Sequence, residues 1–265
     1  MEISEVRRRE IEQKMEQTDW RLQWEILPGI TSPGISPMDP AYILDDFGIA
    51  RDLKGKLAID IGAWDGPIAF ELEKRGARAL ATDIQDPNAT AFNTAKEILN
   101  SSVDYLQASV YDLPGLLKEK YDIVVFRAVY YHLKNPIGAF EAIAQIMNPG
   151  AVLCVEGECL RYYAETFDGQ EVTDSRALDG IDWLANSDIP ATLCYPGTYK
   201  RGENWFIPNI ACFKGWMRGA GLEIERYRFW EDRSLNGQRL IAVAHRTDAP
   251  PTVEHTVLQK GWSKE

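Results

Sequence analysis

The run Asp60-Ile61-Gly62-Ala63-Trp64-Asp65-Gly66 follows an apolar stretch and precedes a helical pattern. Glycines at 62 and 66 allow a tight turn and close approach of backbone to a ligand. A further acid, Asp83, closes the next apolar run 23 residues after Asp60. A carboxylate at that spacing can accept both ribose hydroxyls of an adenine nucleoside. A dinucleotide turn would carry glycine where Trp64 stands and would hold a pyrophosphate, which Asp65 repels. The zwitterionic, sulfonium-bearing end of S-adenosylmethionine tolerates acids there, and aspartates near a sulfonium are electrostatically favourable. S-adenosylmethionine is therefore the expected cofactor, with Asp60, Gly62, Gly66 and Asp83 in its site.

Transfer of a methyl group from a sulfonium is an in-line displacement on carbon. Positioning supplies much of the rate, and a base is needed only if the acceptor carries a proton. His132 directly follows the apolar run 121–129, at the strand end where this kind of sheet presents its substrates. It is the candidate base, the alternative being an imidazole bonded to a loop carbonyl. Tyr131 is read as a catalytic-site contact or as simple packing. Arg127 pairs with an acid of the site or with Asp122. Arg161, Tyr162, Tyr195, Tyr199, Lys200, Asn204 and Trp205 mix aromatic walls with polar tips. That mixture suits a moderately polar ring-containing small molecule, and the same residues could equally form a local core.

These residues need a scaffold, and the apolar patterning supplies one. Strand-like runs at 57–62, 77–84, 103–109, 121–129 and 149–158 alternate with helical patterns at 67–75, 88–100 and 136–147. Near-continuous apolar strands separated by helices predict an α/β fold with parallel strands covered on both faces. Residues 159–205 break the rhythm and read as an insertion after strand five, a lid over the acceptor. A helix at 208–220 and strands at 222–230 and 238–246 complete a seven-stranded sheet. Residues 1–56 read as a cap: an amphipathic helix over 1–24, on which Ile3, Val6, Ile11 and Met15 share a spacing, then a Pro/Gly-rich loop at 27–40 and a helix at 41–53. Residues 247–265 read as a peripheral tail.

Composition bounds the partners. The 265 residues are 45% hydrophobic and 26% charged, with a net charge of -11. Polyanion binding draws most of its affinity from basic residues, so this charge disfavours nucleic acid without excluding a local basic patch. The apolar runs fall far short of the roughly 20 residues of a membrane span, and the first residues lack the apolar centre of a signal peptide. The expectation is a cytoplasmic protein with no membrane partner. The cysteines at 154, 159, 194 and 212 show no C-x-x-C spacing, and the histidines at 132, 245 and 255 are scattered. Free thiols and no metal site are expected.

Asp60–Gly66 resembles the first motif of class I S-adenosylmethionine-dependent methyltransferases, and Asp83 their ribose-binding acid. Ala108–Pro114 is similar to the adenine-binding loop after strand three, with Ser109 where many members carry an acid, and Tyr121–Phe126 to the fourth motif. The resemblance implies a Rossmann-like class I methyltransferase fold and a cofactor set of Asp60, Gly62, Ala63, Gly66, Asp83, Ile84, Ser109, Val110 and Arg127. Three stretches, 27–34, 129–136 and 205–209 with the helix that follows, resemble more narrowly the tRNA wobble-uridine carboxymethyltransferase family. Tyr131 matches a tyrosine that sits beside the cofactor in its carboxymethyl-transferring members. Those members need basic residues around the cofactor carboxylate; no upstream lysine is matched, and Arg233 or Arg239 would have to substitute. Two functional readings follow: methylation of an oxygen or nitrogen on a small ring-containing molecule of secondary metabolism, or tRNA wobble-uridine modification with the plain or carboxylated cofactor. A cofactor-binding protein without catalysis is a third class.

Overall fold

The computed structural model describes residues 4–233 and 236–247. The expected tail therefore lies, from residue 248 onward, outside the described residues. Seven strands form the main sheet: β1 (Leu57–Ile61), β2 (Arg78–Asp83), β3 (Asp104–Gln107), β4 (Tyr121–Arg127), β5 (Met147–Glu158), β6 (Leu222–Asp232) and β7 (Gly237–Arg246). Their order is β6-β7-β5-β4-β1-β2-β3. The chain divides into two compact units, Met1–Arg127 and Ala128–Glu265.

The first unit holds the parallel ladders. β1 pairs with β2 from Leu57↔Arg78 to Ile61↔Thr82 and with β4 from Ala58↔Ile123 to Ile61↔Phe126, while β2 pairs with β3 from Leu80↔Asp104 to Asp83↔Gln107. Ala58–Ile61 and Ile123–Phe126 are buried without a break, as parallel strands covered on both faces must be. Helix α1 (Glu5–Glu16) starts at Ser4, whose hydroxyl accepts the Arg7 amide, and buries Ile11 and Met15. It is shorter than the 1–24 pattern implies. The Pro/Gly-rich stretch is not one open loop. Leu22 and Gln23 pair in parallel with Ser36 and Pro37, and Glu25 and Leu27 pair antiparallel with Thr31 and Ile30. Two-residue ladders have too few side chains to show a period. Helix α2 (Pro40–Asp46) ends earlier than the expected 53.

Helix α3 (Pro67–Lys74) begins at Gly66, with Pro67 in the first turn where its missing N–H is harmless. Gly66 sits at φ +85°, and a Cβ there would lie 2.6 Å from the Phe92 ring and 2.8 Å from the Phe70 ring. Only glycine fits. Phe70 stacks on Phe92 at 5.1 Å between centroids, and Phe92 meets Tyr105 at 4.6 Å, tying α3 to helix α4 (Phe92–Leu99) and β3. Such pairs contribute about 0.5–1.5 kcal/mol beyond their burial. A short helix α5 (Leu113–Leu116) precedes β4.

The second unit is antiparallel. β7 pairs with β5 from Arg239↔Glu158 to His245↔Val152, and with β6 across a bulge between Ile224 and Arg226. Helices α6 (Pro136–Ile146) and α8 (Ile210–Gly219) are capped by Asn135 and Asn209, whose side chains accept the Gly138 and Cys212 amides. The expected insertion has structure of its own. Helix α7 (Ser175–Asn186) is capped by Asp174, and Thr192–Cys194 pairs antiparallel with Phe206–Pro208. Leu160, Tyr163, Ala185, Tyr195, Tyr199 and Ile207 form a separate core there. No helix among the described residues is long and apolar enough to cross a membrane.

Candidate active site

The turn after β1 is built by its glycines and by β2. Gly62 and Ala63 donate their amides to the Thr82 carbonyl at 2.8 and 3.1 Å, and Gly66 donates to Ala63. Gly62 and Trp64 both have positive φ, +83° and +49°. The Asp83 carboxylate is held at the end of β2 by two backbone amides, Trp64 to Oδ2 at 3.0 Å and Gln85 to Oδ1 at 3.1 Å. A carboxylate fixed in this way keeps lone pairs for a pair of ribose hydroxyls. Asp60 is buried beside it. Burial, reinforced by the Asp83 charge and opposed by Arg127, pushes its carboxyl up to about 7. Arg127 thus acts on the acid of the turn. Ile84 is 66% exposed, Ala63 and Val110 are buried, and Ser109 opens the single helical turn Val110–Asp112. The donor and acceptor set of this unit fits the nucleoside of S-adenosylmethionine.

Asp65 has a different task from the one its position suggests. Its side chain is fully buried, and Oδ2 accepts the amides of Arg21 at 2.9 Å and Leu22 at 2.7 Å, while Oδ1 accepts that of Ala91 at 3.1 Å. Burial raises its pKa against the opposing effect of those amides. The acid pins the N-terminal segment to the turn instead of presenting charge to a sulfonium.

In the second unit the chain leaves the β4 region through Ala128 at φ +55°, a strained value for a residue with a Cβ. The Ala128 amide donates to the Glu156 carbonyl at 2.8 Å. Strain of this kind gathers at functional sites, and here it leads into the single turn Tyr130–His132. Tyr130 is fully buried, with its hydroxyl on the Glu158 carbonyl. A Cβ at Gly157 would lie 2.4 Å from the Tyr130 ring and 2.9 Å from that of Tyr131. Glycine between two glutamates therefore admits both tyrosines.

Tyr131 receives a hydrogen bond from Arg239 at 3.2 Å, and the guanidinium lies 5.2 Å from its ring centroid. Arg239 also pairs with Glu156 and, at 3.2 Å, with Glu158. Burial alone would lower the arginine pKa, but Glu156, Tyr131 and Glu158 outweigh it and raise it. Lys200 Nζ meets both Glu158 oxygens at 3.1 and 3.0 Å and the Asn236 carbonyl at 2.8 Å. The acids and bases of this cluster balance one another. Burial raises the Tyr131 pKa, so its hydroxyl stays protonated. His132 is exposed, its Nδ1 lies 3.1 Å from the Glu203 carbonyl, and partial desolvation of the ring lowers its pKa from the ordinary 6.5. A carbonyl can only accept, so Nδ1 carries the proton and Nε2 has the free lone pair.

The aromatic and polar residues of the insertion divide into two groups. Arg161 is spent on Glu231 at 2.8 Å and Asn186 at 2.9 Å and lies over the Phe229 ring. The Tyr162 hydroxyl donates to the Gly237 carbonyl, and Tyr195 and Tyr199 are core. Arg161, Tyr162 and Lys200 thus tie the insertion to β5, β6 and β7, while Tyr195 and Tyr199 fill its core. Asn204 and Trp205 remain. Asn204 donates Nδ2 to the Tyr199 carbonyl at 2.7 Å, leaving its buried Oδ1 without a partner. The Trp205 amide donates to the Tyr131 carbonyl at 2.7 Å, and Lys134 lies 4.6 Å from its ring. Arg233 packs on Tyr162.

Sequence reasoning missed Gln238. It is fully buried on β7, its Oε1 accepts the amides of Arg161, Tyr162 and Tyr163, and its Nε2 donates to the Tyr163 carbonyl and the Tyr199 hydroxyl. No local pattern marks it. Glu156 and Glu158 did carry a signal: two acids at alternate positions of an otherwise apolar strand share a face and must be paired. No group of His, Cys, Asp or Glu among the described residues is arranged to hold a metal.

A family model described as a methyltransferase domain matches residues 59–155, which contain the β1 turn, Asp83 and His132. Among solved structures, the fold is similar to an S-adenosylmethionine-dependent methyltransferase from Mesorhizobium loti, at 15% identity and a TM-score of 0.54 over 77% of this chain and 95% of the other. It is also similar to 1,6-didemethyltoxoflavin-N1-methyltransferase from Burkholderia thailandensis, at 13% identity and a TM-score of 0.53 over 79% of this chain and 76% of that one. The matched segment and the fold are those of class I S-adenosylmethionine-dependent methyltransferases, whose cofactor is S-adenosylmethionine. Within that class the chain is similar to the tRNA U34 carboxymethyltransferase of Helicobacter pylori, at 27% identity over 181 residues, 66% of this chain and 59% of the relative. The chain thus spans less than two thirds of the length of these curated relatives.

Proposed function

We propose that the protein methylates an oxygen or nitrogen of a small ring-containing molecule, using plain S-adenosylmethionine. The observation that carries this reading is the state of Arg239, beside Tyr131, and of Lys200, which shares Glu158 with it. Arg239 is paired with Glu156 and Glu158, and Lys200 with Glu158. A carboxylated cofactor adds a negative charge, and turning Arg239 toward it would take the guanidinium from two buried glutamates at once, a loss of about 3–5 kcal/mol for a broken buried pair. The net charge of -11 likewise supports a small acceptor over a polyanion.

When bound, the cofactor supplies an electrophilic methyl group on a sulfonium. Asp83 then holds the ribose. His132 receives the acceptor's proton at Nε2 while Nδ1–H stays on the Glu203 carbonyl. Asn204 Oδ1 accepts an N–H or O–H of the acceptor, and Trp205 offers it an aromatic face. A second reading, tRNA wobble-uridine modification, is favoured by the names of the relatives. Mass spectrometry of small molecules copurifying at low salt separates the two. Plain S-adenosylmethionine or its product without RNA is expected; a carboxylated cofactor together with RNA would overturn the proposal.

Asp83→Ala should weaken cofactor binding by about 1.5–3 kcal/mol, the scale of hydrogen bonds to a charged acceptor. Calorimetric titration giving the parent affinity would remove Asp83 from the site.

A further inference from the structure

We infer that Arg21 binds the carboxylate at the methionyl end of the cofactor, an inference that rests on the S-adenosylmethionine reading above. Arg21 is positioned by its own backbone. Its amide donates to Asp65 Oδ2 at 2.9 Å, and its carbonyl accepts the amides of Ile35 and Ser36, both at 3.1 Å. Asp65 belongs to the turn of the proposed site, so the buried acid holds residue 21 beside that turn. From there the guanidinium reaches over the Trp64 ring, 5.8 Å from its centroid. Trp64 is 38% exposed, and its amide is the one that holds Asp83. One residue of the turn therefore fixes the ribose acid through its backbone and supports a guanidinium on its ring.

Charge argues for the same assignment. Asp83, with Asp60 buried beside it, makes this part of the first unit acidic, which suits a sulfonium and an ammonium but repels a carboxylate. Arg127 already acts on Asp60. Arg21 meets no carboxylate within ion-pair distance among the described residues, and it is exposed. A guanidinium is a planar fork that matches a carboxylate with two parallel hydrogen bonds, and stacking on an indole keeps it oriented for that contact. Placement by Asp65 also explains why a turn that binds a cofactor spends a buried acid on the N-terminal segment.

The test is calorimetric titration of the full chain with two ligands that share the nucleoside and thioether. S-adenosylhomocysteine has the amino-acid carboxylate, and 5′-methylthioadenosine lacks it. Arg21→Ala should weaken S-adenosylhomocysteine by about 10- to 150-fold and leave 5′-methylthioadenosine within about twofold. Arg21→Lys should recover part of the loss, since a point charge replaces the fork. Unchanged S-adenosylhomocysteine affinity in Arg21→Ala would overturn the inference. Equal losses for both ligands would also overturn it, showing that Arg21 acts through the shape of the Trp64 turn. Failure of the parent protein to bind either ligand would overturn the cofactor reading itself, and this assignment with it.

Discussion

His132→Ala should lower turnover by about 10²–10⁴, the usual contribution of a positioned base, and leave S-adenosylmethionine affinity unchanged. The second half follows because every proposed cofactor residue precedes Ala128. The first half follows from the tautomer. With Nδ1–H committed to the Glu203 carbonyl, Nε2 is a lone-pair acceptor as soon as the ring is neutral. Partial desolvation lowers the pKa of this exposed imidazole, helped by Arg239 and opposed by the Glu203 contact and charge and by Glu158. Turnover of the parent enzyme should therefore rise with pH along a limb whose midpoint lies below the ordinary histidine value of about 6.5. The alanine variant should lack that limb. Near-parental turnover with the same pH profile in His132→Asn would make the histidine structural and leave positioning alone to carry the reaction.

Gln238→Leu should cost about 3–5 kcal/mol of stability, near the upper end for single substitutions. Leucine matches the volume but strands the amides of residues 161–163, the Tyr163 carbonyl and the Tyr199 hydroxyl in a buried setting. Each orphaned buried group costs about 1–3 kcal/mol before relaxation. Urea denaturation followed by near-ultraviolet circular dichroism would read the loss. A midpoint shift equivalent to less than 1 kcal/mol would mean that water takes over these bonds and that Gln238 is dispensable. Gln238→Glu should fall between the two, because Oε1 still accepts while both Nε2 donations are lost.

The scaffold was legible where side-chain patterning is dictated by burial alone. β1 and β4 read directly as buried strands, since parallel strands covered on both faces leave no polar alternation. The turn at 60–66 was legible because it needs glycines at fixed places. Asp65 was not, because its partners are backbone amides at 21, 22 and 91, and an amide has no sequence signature. The insertion was ambiguous for a related reason. Tyr195 and Tyr199 have the composition of a pocket wall, but the direction of a ring is set by neighbours distant in sequence, here Ala185, Leu160 and Ile207. From the sequence, Arg239 reads as a partner for a cofactor carboxylate. Its actual partners, Glu156 and Glu158, lie on a strand whose register with β7 only the fold supplies.

The Gln238 clamp also constrains when the protein becomes complete during its own synthesis. Residues 161–163 leave the ribosome well before Gln238, which lies 75 residues after Tyr163. Until β7 is made, three amides beside the insertion core have no acceptor, and β5 lacks the strand that lies between it and β6. The nascent insertion is thus an unclosed loop waiting on a distant contact, the kind of non-local pairing that folds late and stays open to proteases and aggregation meanwhile. A nascent chain arrested before residue 237 should be cleaved within 159–205, and one that has released β7 should resist.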